Sequence, residues 1–158
     1  MATKLKIKDK GGRTTAAGPD GSVVADITAA FQQPTTIDTP AGRFLLRPGS
    51  VTDASGTQVA TVETTRHFLF PHATQYVLAT GEVFMCGAKN KLLRAGTWQA
   101  VPEAGPGEVW ASARHVGFGR ISFTVADALL AHPQSDLLVG IFVKAGVSHV
   151  VNQIQRNQ

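Results

Sequence analysis

The feature that most constrains this chain is residues 135–155, SDLLVGIFVKAGVSHVVNQIQ, its most apolar stretch. Wound as a helix, Leu137, Leu138, Val139, Ile141, Phe142 and Val143 cover every side, broken only by Gly140, so this half has to be enclosed. Val147, Val150, Val151 and Ile154 then recur at i, i+3, i+4 and i+7, with Ser148, His149, Asn152 and Gln153 on the other side. A helix so patterned leaves the core as it ends. Ser135 or Asp136 is placed to cap the first turn, and Pro133 stops any preceding element. The competing reading is a strand followed by a short helix, because Val139, Ile141, Phe142 and Val143 favour strands and Lys144-Ala145-Gly146 could turn the chain. We read a continuous helix. No transmembrane segment is expected: the run 137–143 is far shorter than the ~20 residues a bilayer core needs, and Lys144 would sit in mid-span.

What surrounds that helix has to come from the preceding residues, and these read almost wholly as strands. Leu5 and Ile7 alternate with Lys4, Lys6 and Lys8, a two-residue period with one wet face. Lysine on such a strand suits a sheet edge, so residues 1–20 are read as an edge strand and a loop, the loop running from Arg13 to Asp20. From there the sequence rhymes. DGSVVADIT at 20–28 is echoed by SGTQVATVET at 55–64, and more loosely at 80–86 and 107–113. Each is a turn glycine followed by an alternating strand, as hairpins are written. Residues 42–47, 75–79, 97–101 and 119–126 are further strands, which makes nine, and Ile37 and Val51 hint at one or two more. Short strands at this spacing close into barrels or sandwiches, and a barrel this wide needs filling. The apolar helix is the available plug, and burying its larger side chains at ~1.5–3 kcal/mol each would be a major part of the stability.

A single domain over 1–158 is expected, long enough to build its own core. Lys+Arg 15 against Asp+Glu 11 gives a net charge of +4, which permits contact with phosphates or anionic lipid. The basic residues are dispersed and no aromatic-plus-basic strand motif occurs, so nucleic acid is not the expected partner. A lone Cys86 excludes an intrachain disulfide and fits a reducing interior, and LKIKDK near the start carries no apolar signal run, so the cytoplasm is expected, with peripheral contact at a membrane.

Three features together resemble the tubby C-terminal-like superfamily, in particular the small LURP-one-related and phospholipid-scramblase-like proteins. They are the D-x-x-G-x-x-V-A-x-V hairpins, in shortened form at 20–27 and in full at 53–62, the aromatic strand from Tyr76 to Gly81 with Trp98, and the terminal apolar helix at 136–151. The resemblance covers the chain from Asp20 onward. It implies a mostly β fold, a closed antiparallel β-barrel of about a dozen strands around a C-terminal hydrophobic helix. It also implies a binding role: tubby-type domains bind phosphoinositide head groups, and scramblase-like members act at membranes. The chain departs from the scramblases in having no cysteine cluster for palmitoylation and no acidic loop of calcium-ligand spacing.

Lys89, Lys91 and Arg94 are the candidate anion and phospholipid site, because three cations within six residues can clamp a phosphate, with Arg94 as a bidentate fork. A solvated turn is the bland alternative. His67 and His72 lie near Phe68 and Phe70, but with Glu63 as the nearest acid no third ligand is in place, so no metal is expected. Cys86 could pair with His67, His72, His115, His132 or His149 as a nucleophile, yet no motif supports it and Cys86 reads as core filling in Val83-Phe84-Met85-Cys86. No catalytic residue and no cofactor is assigned. Lys144, alone in an apolar helix, must snorkel to a barrel mouth, pair with Asp127 or Asp136, or hold a ligand. The expected function is a non-enzymatic binding domain with anionic lipid or a protein as partner. The alternative is a lipocalin-like carrier of a small apolar ligand, with the C-terminal segment outside an empty lumen.

Overall fold

The computed structural model describes residues 2–65, 73–88, 97–105 and 107–156. In chain order its strands are β1 (Ala2–Lys10), β2 (Arg13–Ala17), β3 (Val23–Thr28), β4 (Thr35–Thr39), β5 (Gly42–Arg47) and β6 (Ser50–Asp53). They continue with β7 (Gln58–Thr65), β8 (Ala73–Leu78), β9 (Val83–Ala88), β10 (Trp98–Pro102), β11 (Ala111–His115) and β12 (Ile121–Ala126). Two helices follow, α1 (Asp127–Leu130) and α2 (Ser135–Arg156). Every strand pairs antiparallel with its sequence neighbours, and β12 pairs with β1 to close the ring. The architecture is a closed barrel of twelve described strands around α2.

Inside the ring, Leu137 through Val143 are all buried, which a helix achieves only when walls stand on every side. The walls are the inward residues of the alternating strands, among them Ile27, Ile37, Val51, Leu78, Phe84, Trp98 and Phe123. Phe142 sits in an aromatic cage: its ring lies 5.7 Å from Phe84, 6.2 Å from Trp98 and 6.4 Å from Tyr76. Two glycines let the wall approach. A Cβ on Gly140 would stand 2.5 Å from Ile37 Cγ2, and one on Gly146 would stand 2.8 Å from the Trp98 ring and 3.0 Å from Phe123. The helix leaves the core as its pattern predicts, with Val147 and Val150 buried and Asn152 exposed. An empty-lumen carrier would require this segment outside the ring, and it lies inside.

The ring also differs from expectation at its beginning. Residues 13–17, read as loop, form β2; their inward positions are only Thr14 and Ala16, too small to give an apolar signal. β1 is not an edge along its whole length, since Ala2–Leu5 pair with β12 and Lys6–Lys10 with β2, and its lysines face the outside of the ring. At the helix start a histidine, rather than Ser135 or Asp136, holds the leading N–H: His132 Nδ1 accepts the Gln134 N–H at 2.9 Å. Its proton therefore sits on Nε2, which meets both Glu82 oxygens at 2.9 and 3.0 Å. This contact fastens the link between α1 and α2 across one end of the barrel.

Three of the rhyming segments make the same turn at that end, with Gly21, Gly56 and Gly81 N–H donating to the Gly18, Asp53 and Leu78 carbonyls. In β2/β3, β6/β7 and β8/β9, Gly21, Gly56 and Gly81 take φ of 86°, 88° and 93°, a left-handed conformation that glycine adopts without strain. Asp20 and Asp53 hold their turns through Ser22 and Ser55 hydroxyls, each at 2.7 Å. Up-and-down topology sends the β1/β2, β3/β4 and β11/β12 connections to the other end, where α2 emerges.

Candidate functional site

The site begins with a change of partner along β1. Ala2 to Leu5 pair with β12, whereas Lys6 to Lys10 pair with β2. No residue of β1 is paired on both sides, so beyond Leu5 and Phe123 the two closing strands part. The opening is a groove of about 960 Å³ between β1 and the β11/β12 hairpin. Its inner lining follows the inward phase of the strands, Leu5, Ile7, Ile121 and Phe123, with Val151 of α2 behind them. Its outer lining follows the outward phase, Lys4, Lys6 and Lys8 from β1 with Arg114 and Arg120 from the hairpin. All five cations are exposed.

Among the described residues one acid, Asp9, shares the groove, and its carboxylate already accepts the Thr14 hydroxyl at 2.6 Å. Five cations against one engaged carboxylate make a field that attracts anions, and the apolar lining between them suits a hydrophobic appendage. A smaller hollow of about 370 Å³ adjoins it through Asp9 and Val151, between α2 and the inner faces of β1 to β3. Lys144 lines this hollow and donates to Ser148 Oγ at 3.1 Å. Asp136 is not its partner: eight residues of helix separate the two by about 12 Å, and Asp127 lies beyond the same far end. Lys144 has snorkelled to the open mouth.

Other candidates fare as follows. Lys89, Lys91 and Arg94 lie outside the described residues, as do His67 and His72. Cys86 is buried in the core beside Phe84, and burial pushes its thiol well above the usual range, which keeps it protonated. His115 Nε2 accepts the Gly119 N–H at 3.3 Å within its own hairpin, and His132 is committed to Glu82. Among the described residues no group of three or more His, Cys, Asp or Glu gathers as a metal site requires. No described helix is long and apolar enough to cross a membrane. The lysines of β1 were visible in the sequence as a wet face, but Arg114 and Arg120 carried no signal. Their meeting with β1 depends on a pairing between the two ends of the barrel sequence, which no local pattern encodes.

The fold and groove define a helix-filled, up-and-down β-barrel with a cationic slot at its closing seam. No protein-family model, curated protein or solved structure matches the chain.

Proposed function

We propose that the protein is a non-enzymatic binding domain that recognises anionic lipid head groups through the groove between β1 and β12. The observation that carries this reading is the convergence of Lys4, Lys6, Lys8, Arg114 and Arg120 on one apolar-floored slot. A phosphate head group would take bidentate hydrogen bonds from an arginine and point charges from the lysines, while the glyceryl end lies against Ile7 and Ile121. The filled lumen supports a surface site over a carried cargo. The proposal is of the kind that the resemblance to tubby-type domains implies, although the cations differ from those singled out by sequence.

The test is co-sedimentation with phosphatidylcholine vesicles with and without phosphatidylserine or a phosphoinositide. Wild type should pellet only with the anionic vesicles, and less as salt rises. Lys6→Ala with Arg120→Ala should weaken binding by about 2 kcal/mol, roughly thirtyfold, at about 1 kcal/mol per cation near an anionic surface. Changing Lys89, Lys91 and Arg94 to alanine in parallel separates the two basic groups. Equal binding of neutral and anionic vesicles, or an unchanged double variant, would defeat the proposal.

A further inference from the structure

Two of the chain's most exposed apolar side chains are phenylalanines at the same end of the barrel. Phe118 is 97% exposed at the tip of the β11/β12 hairpin, and Phe31 is 89% exposed in the connection from β3 to β4. Neither packs against the protein, and Phe118 is held at φ 53°, a left-handed conformation that a bulky residue rarely adopts. The hairpin is nonetheless well tied, by Val116 N–H to Arg120 O and Arg120 N–H to Gly117 O, each at 3.0 Å. The tip is thus built to present its ring outward rather than left loose. Val116 beside it is 44% exposed, and Arg114 and Arg120 flank the pair.

The positions of these residues around the ring matter as much as their exposure. The β11/β12, β1/β2 and β3/β4 connections are successive at this end, and Ala29 N–H donates to Gly12 O at 2.8 Å, tying the third to the second. The exposed Lys8 and Lys10 therefore lie between the two aromatic tips. At the opposite end stand the acidic turns of Asp20, Asp53 and Glu82. One pole offers aromatic points among cations, and the other offers carboxylates. Exposed phenylalanine rings gain by burial at the boundary between head groups and acyl chains, and cations near it are drawn to anionic lipid. A protein partner would more naturally meet a contiguous apolar patch than two separate points divided by lysines.

We propose that this end of the barrel docks upright on an anionic bilayer, with Phe118 and Phe31 entering the interface as two anchors on either side of the β1/β2 turn. The proposal rests on the lipid reading of the groove and adds to it an orientation and an apolar contact. Binding then has two separable parts, a head-group part at the groove and an insertion part at the tips.

The experiment uses Phe118→Trp, whose new ring is distinct from the core Trp98 and from Trp110 at the far end. On mixing with phosphatidylserine vesicles its emission should move to shorter wavelength and be quenched by lipids brominated on their acyl chains, beyond any change in wild type. Phe118→Ser with Phe31→Ser should weaken vesicle binding roughly tenfold per ring, since each loses most of an apolar burial. The same double variant should keep wild-type binding of soluble glycerophosphoserine, and circular dichroism should match wild type. Vesicle pelleting without quenching, or with an unaffected double variant, overturns insertion and leaves the head-group reading standing. Absence of vesicle pelleting overturns both. A wild type that dimerises through these rings and ignores vesicles would instead make the face a contact between copies, and would overturn the proposal.

Discussion

At the scale of single residues, the outer wall carries short charge pairs and carboxylate caps whose state depends on pH. Arg13 donates to both oxygens of Asp26, at 3.1 and 2.8 Å, across β2 and β3. That hydrogen bonding holds the Asp26 carboxyl below the usual range, as the Ser22 hydroxyl does for Asp20 and the Ser55 hydroxyl for Asp53. A carboxyl whose folded value is lowered adds stability that is fully present above its unfolded value, about 4, and is lost as the pH falls through the folded value. The melting temperature should accordingly be level from neutral pH to about 5 and fall below about 4. Asp26→Asn should lower it slightly at neutral pH and flatten part of the acid limb; an acid limb identical to wild type in the Asn variant would show that the Arg13 pair contributes nothing. Asp20 and Asp53 belong to repeated turns, so the rest of the limb should survive.

The element that decides the most is α2. Gly146 is enclosed by Trp98, Phe123 and Ala113, with an added Cβ standing 2.8, 3.0 and 3.1 Å from them. In an exposed helix Gly→Ala would stabilise by about 1 kcal/mol. Here the methyl group would be forced between two fixed rings and a strand, an overpacking that costs about 1–3 kcal/mol. Gly146→Ala should therefore melt several degrees below wild type in a calorimeter, and a variant more stable than wild type would mean the helix can shift in its sheath. The helix itself was legible because seven consecutive core positions leave few alternatives, and the strands with large inward residues were legible by their period. β2 was not, since Thr14 and Ala16 fill its inner face with almost nothing apolar. The groove was illegible for a different reason: Lys6 and Arg120 belong to one surface only after β12 finds β1.

For the whole molecule, wall and plug each complete the other. The barrel without α2 would enclose a void lined by Ile27, Ile37, Phe84 and Phe123, and α2 without the barrel would bare apolar groups on all sides. Neither is a stable partial state, so unfolding should be a single step. Near-ultraviolet signals from Trp98 and far-ultraviolet signals from the strands should follow one transition in urea, and a helix-dependent phase that precedes loss of the sheet would contradict this interlock.

The order of the chain gives this interlock a cost in time. Every strand emerges from the ribosome before the segment it must wrap, and β1 waits for β12 before the seam can be drawn together. During synthesis the nascent wall would be a curled ribbon with an oily inner face and two open margins, the state in which chains stick to one another. Only α2 ends that exposure, so this protein should depend on chaperone shelter until that helix has been made, and a stop codon before Ser135 should yield aggregate rather than a smaller fold.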